Sequence, residues 1–506
     1  MRRLIPGLAL AAVCAAVLVI AARFGSFVAG GSDSYCYVHQ AERWASGRLL
    51  VPEPLALVAP WPDAPLTFAP AGHRPSPTIP GAIIPICASG LSILMAPFLA
   101  VGGPTGMFLV IPLCGAALVA GTYLLGRRLS TGVGLAAAVV TAASPIVLYQ
   151  VIQPMSDVPA AAFWVLALAA ATSGDRRGPL LAGVCAGLAI LIRPNLLPVG
   201  FVCGVYLLAR PDRSWSGRGR DAAVYAAACA VACAAVLAIQ QHFYGAPLAS
   251  GYGGLGEIFA AENVMPNASR YLTWLVQSQT PLVVLALAAP FALPRGFAGV
   301  CLAFCAVTLA AYLPYLVFED WSYVRFLLPG IPVLIVLMLG TLAAAARRAG
   351  ARWEPAALAV ASAVLVVVGV RAAEARQVFQ LGSLESVFAR SGDVVASRLP
   401  GNAIVLTSRY SGSVRYYGGR RTIVWDALDP AWLDRALAFT RDRGFEPYFL
   451  LDSSEEETFR QRFAGSVFAR LDWPPLVEIA PQVRVYRPAD RERYLRGDAQ
   501  PTEYVR

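Results

Sequence analysis

Long apolar runs broken by short arginine-bearing segments dominate this chain. Runs at 5–28, 82–101, 105–126, 132–150, 157–172, 179–192, 195–209, 222–241, 276–293, 297–318, 326–346 and 356–372 carry few charges or none. Many approach the roughly 20 residues that a helix needs to cross the hydrocarbon core of a bilayer. The breaks hold Arg2-Arg3, Arg127-Arg128, Arg176-Arg177, Arg210 to Arg220, Arg295 and Arg347-Arg348-Arg352. Such clusters collect on the cytoplasmic side of a membrane, so an even number of spans should separate each from the next.

That balance holds except between Arg3 and Arg127, where three runs intervene. The middle one, 82–101, follows Pro80-Gly81 and contains Pro85, Gly90 and Pro97. These breaks suit a re-entrant or surface-lying segment better than a full span. The pattern predicts a polytopic α-helical membrane protein of about eleven transmembrane helices. The transmembrane domain covers 1–373, with a first outer loop at 29–104 holding surface or re-entrant helices. Met1-Arg2-Arg3 ahead of the first run suits an uncleaved anchor better than a removed signal peptide.

From 374 to 506 the pattern changes to dense, mixed charge. Ile404-Val405-Leu406-Thr407 and Tyr448-Phe449-Leu450-Leu451 read as short strands. Asp429 to Arg441 reads as an amphipathic helix with Trp432, Leu433, Ala436 and Phe439 on one face. This predicts a small C-terminal extracytoplasmic α/β domain. Tyr417-Gly418-Gly419-Arg420 reads as a turn.

Composition agrees with the membrane assignment: 57% of residues are hydrophobic and 14% charged, and mean hydropathy is +0.58. Every basic residue is arginine, and the net charge is +10. Because much of that charge sits in the inter-span clusters, it gives no reason to expect nucleic acid as a partner. Most of the ten cysteines lie in apolar runs, where they act as small hydrophobes. Cys36 and Cys87 fall in the first outer loop; free thiols are the preferred expectation, with a disulfide the alternative.

Two acids stand out on this topology. Asp33 follows the first run in Gly31-Ser32-Asp33-Ser34-Tyr35-Cys36-Tyr37, and Asp157 opens Asp157-Val158-Pro159 after Gln153-Pro154-Met155-Ser156. Both fall on the outer face, as do Arg193, Glu319, Asp320 and Arg325. Paired acids at one face of a bilayer suggest chemistry there. Helix capping is the competing role for each acid. A turn residue competes for Arg193, and a snorkelling span end for Arg325. No Walker loop, dinucleotide fingerprint or paired-cysteine site is present in the sequence, so a lipid carrier is the expected source of any activated substrate.

The layout resembles the multi-span glycosyltransferases of the GT-C class that use polyprenyl-phosphate sugars, which include the protein O-mannosyltransferases and the lipid A aminoarabinose transferases. The resemblance rests on Asp33 with Tyr35, Tyr37 and Gly47-Arg48-Leu49 downstream, and on the long first outer loop. It rests further on Ser156-Asp157-Val158-Pro159, Leu191-Ile192-Arg193-Pro194 and the segment Glu319 to Pro329. It covers roughly 1–346 at the level of layout, with the C-terminal domain outside it. Ser34 stands where the mannosyltransferases have Glu.

The resemblance implies an inverting hexosyl- or pentosyltransferase, multi-pass in a bacterial cytoplasmic (inner) membrane, with active site and C-terminal domain on the outer side. Its partners would be a polyprenyl-phosphate sugar lipid and an acceptor glycan, lipid or protein. Asp33 would be the general base. Asp157 would orient the acceptor, and Asp33 or Asp157 would hold a divalent cation, Mg or Mn, with the donor phosphate, which is the candidate cofactor. Arg325 and Arg193 would bind the donor phosphate. Tyr35, Tyr37, Tyr244, Tyr252 and Glu319 would contact substrate. A polytopic transporter and a non-catalytic envelope assembly protein are the competing classes; the acids at span ends and the lack of a detectable two-fold repeat speak against a transporter.

Overall fold

The computed structural model describes residues 4–480, 482–498 and 501–505; the Arg2-Arg3 cluster lies outside the described residues. The chain divides into two compact units. One comprises Met1–Phe27, Ala88–Gln241 and Ala246–Gly382, and the other Val28–Cys87, His242–Gly245 and Ser383–Arg506. The stretch expected as the first outer loop is thus shared between them, changing unit after Cys87.

The first unit is helical. Among the described residues, six helices are long and apolar enough to cross a membrane: Ile5–Phe24, Gly90–Gly126, Trp215–Tyr244, Arg295–Tyr312, Ile331–Ala349 and Trp353–Ala375. Up to eight qualify if each of two bent pairs is one span, and three shorter apolar helices follow at Asp157–Ala171, Gly178–Ile192 and Pro194–Ala209. Phe201, Val205, Val231, Val360, Val364 and Val367 remain exposed, an apolar surface suited to lipid rather than water.

The structure corrects several runs, and the breaks have local causes. The 132–150 run bends by 63° between Thr131–Ala143 and Pro145–Val151, because Pro145 forces Ser144 out of the helical region. The 276–293 run breaks by 103° at Thr280, which adopts a φ of +64° ahead of Pro281. The 82–101 run is two elements. Ala82–Pro85 is a strand, and a helix begins at Gly90 and kinks at Gly103, where φ is +66°.

The second unit carries two sheets. In the small one, β1 (Val51–Pro52) and β2 (His73–Pro75) flank β3 (Ala82–Pro85), both antiparallel to it. The larger sheet uses β4 (Ala403–Leu406), β5 (Arg421–Ile423), β6 (Glu446–Asp452), β7 (Val477–Ile479), β8 (Val483–Tyr486) and β9 (Glu503–Val505). Its order is β5-β4-β6-β8-β7-β9. The β5, β4 and β6 strands run parallel, while β8 is antiparallel to β6 and β7.

Alternation along β4 explains the two-sided core. Ile404 and Leu406 pack with Phe449, Phe459 and Leu433, whereas Ala403 and Val405 pack with Val387, Val395 and Tyr448. Trp61 and Phe68 join the first of these clusters, so the loop after the first span supplies part of this core. The expected amphipathic helix is present as Leu433–Asp442, entered through a 3-10 turn at Pro430–Trp432 that the Asp429 side chain caps.

Cys36 and Cys87 form a disulfide, against the expectation of free thiols. Its cause is the close approach of Gly72, whose φ is +79°; a Cβ there would sit 2.4 Å from the Ser32 carbonyl oxygen and 2.9 Å from the Cys36 Cβ. Ile86 then donates to the Gly72 carbonyl, which carries Cys87 to the Asp33–Ser46 helix. A bridge across 51 residues removes chain entropy from the unfolded state worth about 2–4 kcal/mol. Thermal unfolding of Cys36→Ser against the oxidised protein should show a loss of that order, whereas unchanged stability would mean that the bridge does not form in solution.

Candidate active site

In the helical unit the key geometry follows from a helical hairpin. Asp157–Ala171 and Gly178–Ile192 are both 15 residues long and joined by a short turn, so the chain returns to the end from which it left. Asp157 and Arg193 therefore share an end. Pro194 forces Arg193 out of the helix, to φ −137° and ψ 85°.

Arg193 Nη2 lies 2.8 Å from Asp157 Oδ1, with the Asp157 side chain fully buried. The other guanidinium donors reach Ser156 Oγ (Nε, 3.0 Å) and the Tyr312 hydroxyl (Nη1, 3.0 Å). The guanidinium carbon stands 5.6 Å from the Phe326 ring centroid, within cation–π range. Ser156 makes no side-chain cap to the helix that it precedes; its hydroxyl serves Arg193, so the capping role is not what these side chains do. At the far end of the same hairpin Arg128 donates to the carbonyls of Ala169 and Ser173.

Arg325 stands near this cluster in sequence and packing, on the Trp321–Leu327 3-10 turn. Its guanidinium lies 4.9 Å from the Tyr323 ring and 5.5 Å from Phe326. Phe326 stacks on Tyr312 at 4.7 Å, and Tyr323 on Phe318 at 3.8 Å. The turn is held by Asn267, whose Nδ2 donates to the Tyr315 carbonyl at 2.6 Å and the Leu313 carbonyl at 3.1 Å, and by Arg270 on the Phe318 carbonyl. Glu319 is largely exposed and 3.6 Å from Arg270, and Tyr252 is exposed in its loop.

Among the described residues no group of three or more His, Cys, Asp or Glu side chains is gathered as a metal site. The Asp157 carboxylate already carries a guanidinium and does not fit a divalent cation, whose electrostatic demand Arg193 would oppose.

Asp33, Tyr35 and Tyr37 lie in the second unit. Asp33 is the first residue of the Asp33–Ser46 helix and half-buried, while Tyr35 and Tyr37 are buried. Tyr35 stacks on His39 at 5.2 Å, and His39 Nδ1 is 3.0 Å from His73 Nε2. Burial pushes the Tyr35 phenol up to about 12 and His73 down to about 3, and it holds His39 well below the usual histidine range. Tyr244 donates its hydroxyl to the Pro85 carbonyl at 3.0 Å, a structural bond.

In the helical unit sequence reasoning missed Tyr312, and it quoted Ser156 and Phe326 within their motifs without joining them to Arg193. In the second it missed Glu53, which is buried and binds Arg415 at 3.0 Å and Arg421 at 2.9 Å. The equal lengths of the two hairpin helices were the available signal for the Asp157–Arg193 pair; Glu53 and Arg415, 362 residues apart, offered none.

The sequence model of the dolichyl-phosphate-mannose-protein mannosyltransferase family matches residues 92–239, a segment holding both Asp157 and Arg193. Among curated proteins no sequence match is found. The fold is similar to that of ArnT from Cupriavidus metallidurans in the apo state, at 12% identity and a TM-score of 0.61 over 98% of each chain. It is similar also to the same protein bound to undecaprenyl phosphate, at 12% identity and a TM-score of 0.56 over 89% of this chain and 94% of that one. The likeness therefore extends through the C-terminal residues that the sequence comparison placed outside it. The chain is therefore similar in fold to ArnT along nearly its whole length and, over 92–239, similar in sequence to the mannosyltransferase model, which agrees with the GT-C resemblance at the level of layout.

Proposed function

We propose that the protein is an inverting glycosyltransferase that moves a sugar from a polyprenyl-phosphate donor to an acceptor at the outer face of a bacterial cytoplasmic membrane, which it crosses about eleven times. The observation that carries this reading is the fold likeness over 98% of both chains. In support, the undecaprenyl phosphate of the second comparison structure is the leaving group that such a donor would release.

In the reaction the acceptor hydroxyl or amine attacks the anomeric carbon as the bond from that carbon to the phosphate oxygen breaks. Asp33 takes the acceptor proton as the new bond forms. The departing lipid phosphate carries growing negative charge, which a guanidinium stabilises in a dry site. Arg325 is the candidate for that role: it lies beside the rings of Tyr323 and Phe326 and is followed by the apolar Leu327-Leu328, while Arg193 is held by the buried Asp157 carboxylate. Asp157 and Arg193 then act as a positioning pair that fixes Tyr312 and Phe326 beneath Arg325.

The donor should accumulate when the enzyme is absent. Mass spectrometry of lipid-linked sugars from a strain lacking this chain should show a polyprenyl-phosphate sugar raised several-fold and restored to its original level by the wild-type gene. An unchanged lipid pool would overturn the reading.

A further inference from the structure

A cavity of about 360 Å³ in the second unit is lined by arginines from two distant parts of the chain: Arg43 on the Asp33–Ser46 helix, and Arg415, Arg420 and Arg421 around the turn before β5. Its volume falls at the lower end of small-molecule sites, roughly 300–1,000 Å³. Tyr35, His39, Glu42 and Tyr416 add polar and aromatic wall.

The charges do not cancel. Glu53 holds Arg415 and Arg421, and Glu42 accepts from the Tyr416 hydroxyl at 2.7 Å. Arg420 is spent on the neutral carbonyls of Pro400, Gly418 and Leu399, which fix its position without compensating its charge. Arg43 Nε is buried with no hydrogen-bond partner among the described residues. Four guanidinium charges thus face two carboxylates, and the wall histidine stays neutral because burial disfavours its charged form. A buried donor without a partner is costly, and a surplus of fixed positive charge in a concave site favours an anion.

We propose that this cavity binds an anionic sugar, through the phosphate or carboxylate oxygens of a glycosyl phosphate or a uronic acid, with Arg43 and Arg421 as the anion ligands. Arg415 and Arg420 are fixed by their protein partners and supply field rather than contacts. Arg421 binds Glu53 through Nη1, which leaves its Nη2 edge without a hydrogen bond among the described residues. That the anion is carried on a sugar rests on the glycosyltransferase reading; that the site prefers an anion does not.

The test is calorimetric titration of the purified full chain in detergent micelles with glucose 1-phosphate, glucuronate, inorganic phosphate and glucose. Glucose 1-phosphate or glucuronate should bind, inorganic phosphate more weakly, and glucose not measurably. Arg43→Gln and Arg421→Gln should each weaken binding about tenfold or more, the scale of one charge-assisted hydrogen bond. Glu42→Gln should tighten it, and thermal unfolding of each variant shows whether it is folded. Inorganic phosphate binding as tightly as the sugar phosphate would overturn the sugar part of the proposal. Equal binding of glucose, no binding of any anion, or full affinity in both folded arginine variants would overturn the site. The Asp33→Asn variant separates the two readings: it should keep anion affinity while losing transfer. Anion binding without any transfer by the wild type would sink the glycosyltransferase reading and leave the anion site standing.

Discussion

Asp33→Asn should lower glycosyl transfer by roughly 10²- to 10⁴-fold, the usual contribution of a positioned general base. The substitution keeps the size of the side chain and its place in the first turn of the Asp33–Ser46 helix, so the fold should survive. It removes the proposed general base, so the loss should fall on kcat with KM for the donor nearly unchanged. A steady-state assay that counts released polyprenyl phosphate reads both. Asp33 carries partial helix-terminus stabilisation as a second role, because a carboxylate in the first turn meets the positive end of the helix dipole. That role is worth about 0.3–1 kcal/mol, too little to explain a hundredfold loss of turnover in a protein that remains folded.

Arg193→Met should be the most destabilising single change in the helical unit. It strands the fully buried Asp157 carboxylate, 2.8 Å from the guanidinium it loses, and it takes a donor from Ser156 and from the Tyr312 hydroxyl. Breaking a buried pair by removing one partner costs about 3–5 kcal/mol. The double variant Asp157→Asn/Arg193→Met should recover part of that loss, because the stranded charge is gone, and this non-additivity marks a coupled pair. Denaturant titration in mixed micelles reads all three variants. A loss under about 1 kcal/mol for Arg193→Met, the scale of an exposed ion pair, would show that the pair is solvated rather than buried.

The large-scale organisation was readable because its signals are long and repetitive. The spacing of apolar runs gave the helices, and short continuous apolar runs at 404–407 and 448–451 gave β4 and β6. The helix breaks were less visible. Pro145 and Pro281 are plain in the sequence, yet a proline inside an apolar run can kink a helix or end it, and the surrounding packing decides which. Free thiols were preferred because the other cysteines lie in apolar helical runs as small hydrophobes, whereas the bridge depends on Gly72 meeting the helix backbone at Ser32. At the candidate site, sequence placed Asp157 and Arg193 on one side of the membrane without pairing them. The ion pair to the buried Asp157 carboxylate is why the proposal gives Arg193 a positioning role and Arg325 the phosphate role. Glu53 and its two arginines were invisible for a different reason: nothing local links residue 53 to residues 415 and 421 before the chain is folded.

The measurement that bears most directly on the central claim is donor cleavage by the purified wild-type chain in lipid nanodiscs, supplied with the lipid-linked sugars that accumulate in its absence. Free polyprenyl phosphate should appear in step with glycosylated acceptor of inverted anomeric configuration, and release should fall to background when acceptor is omitted. A product of retained configuration, or solute movement across the bilayer with no donor consumed, would contradict it.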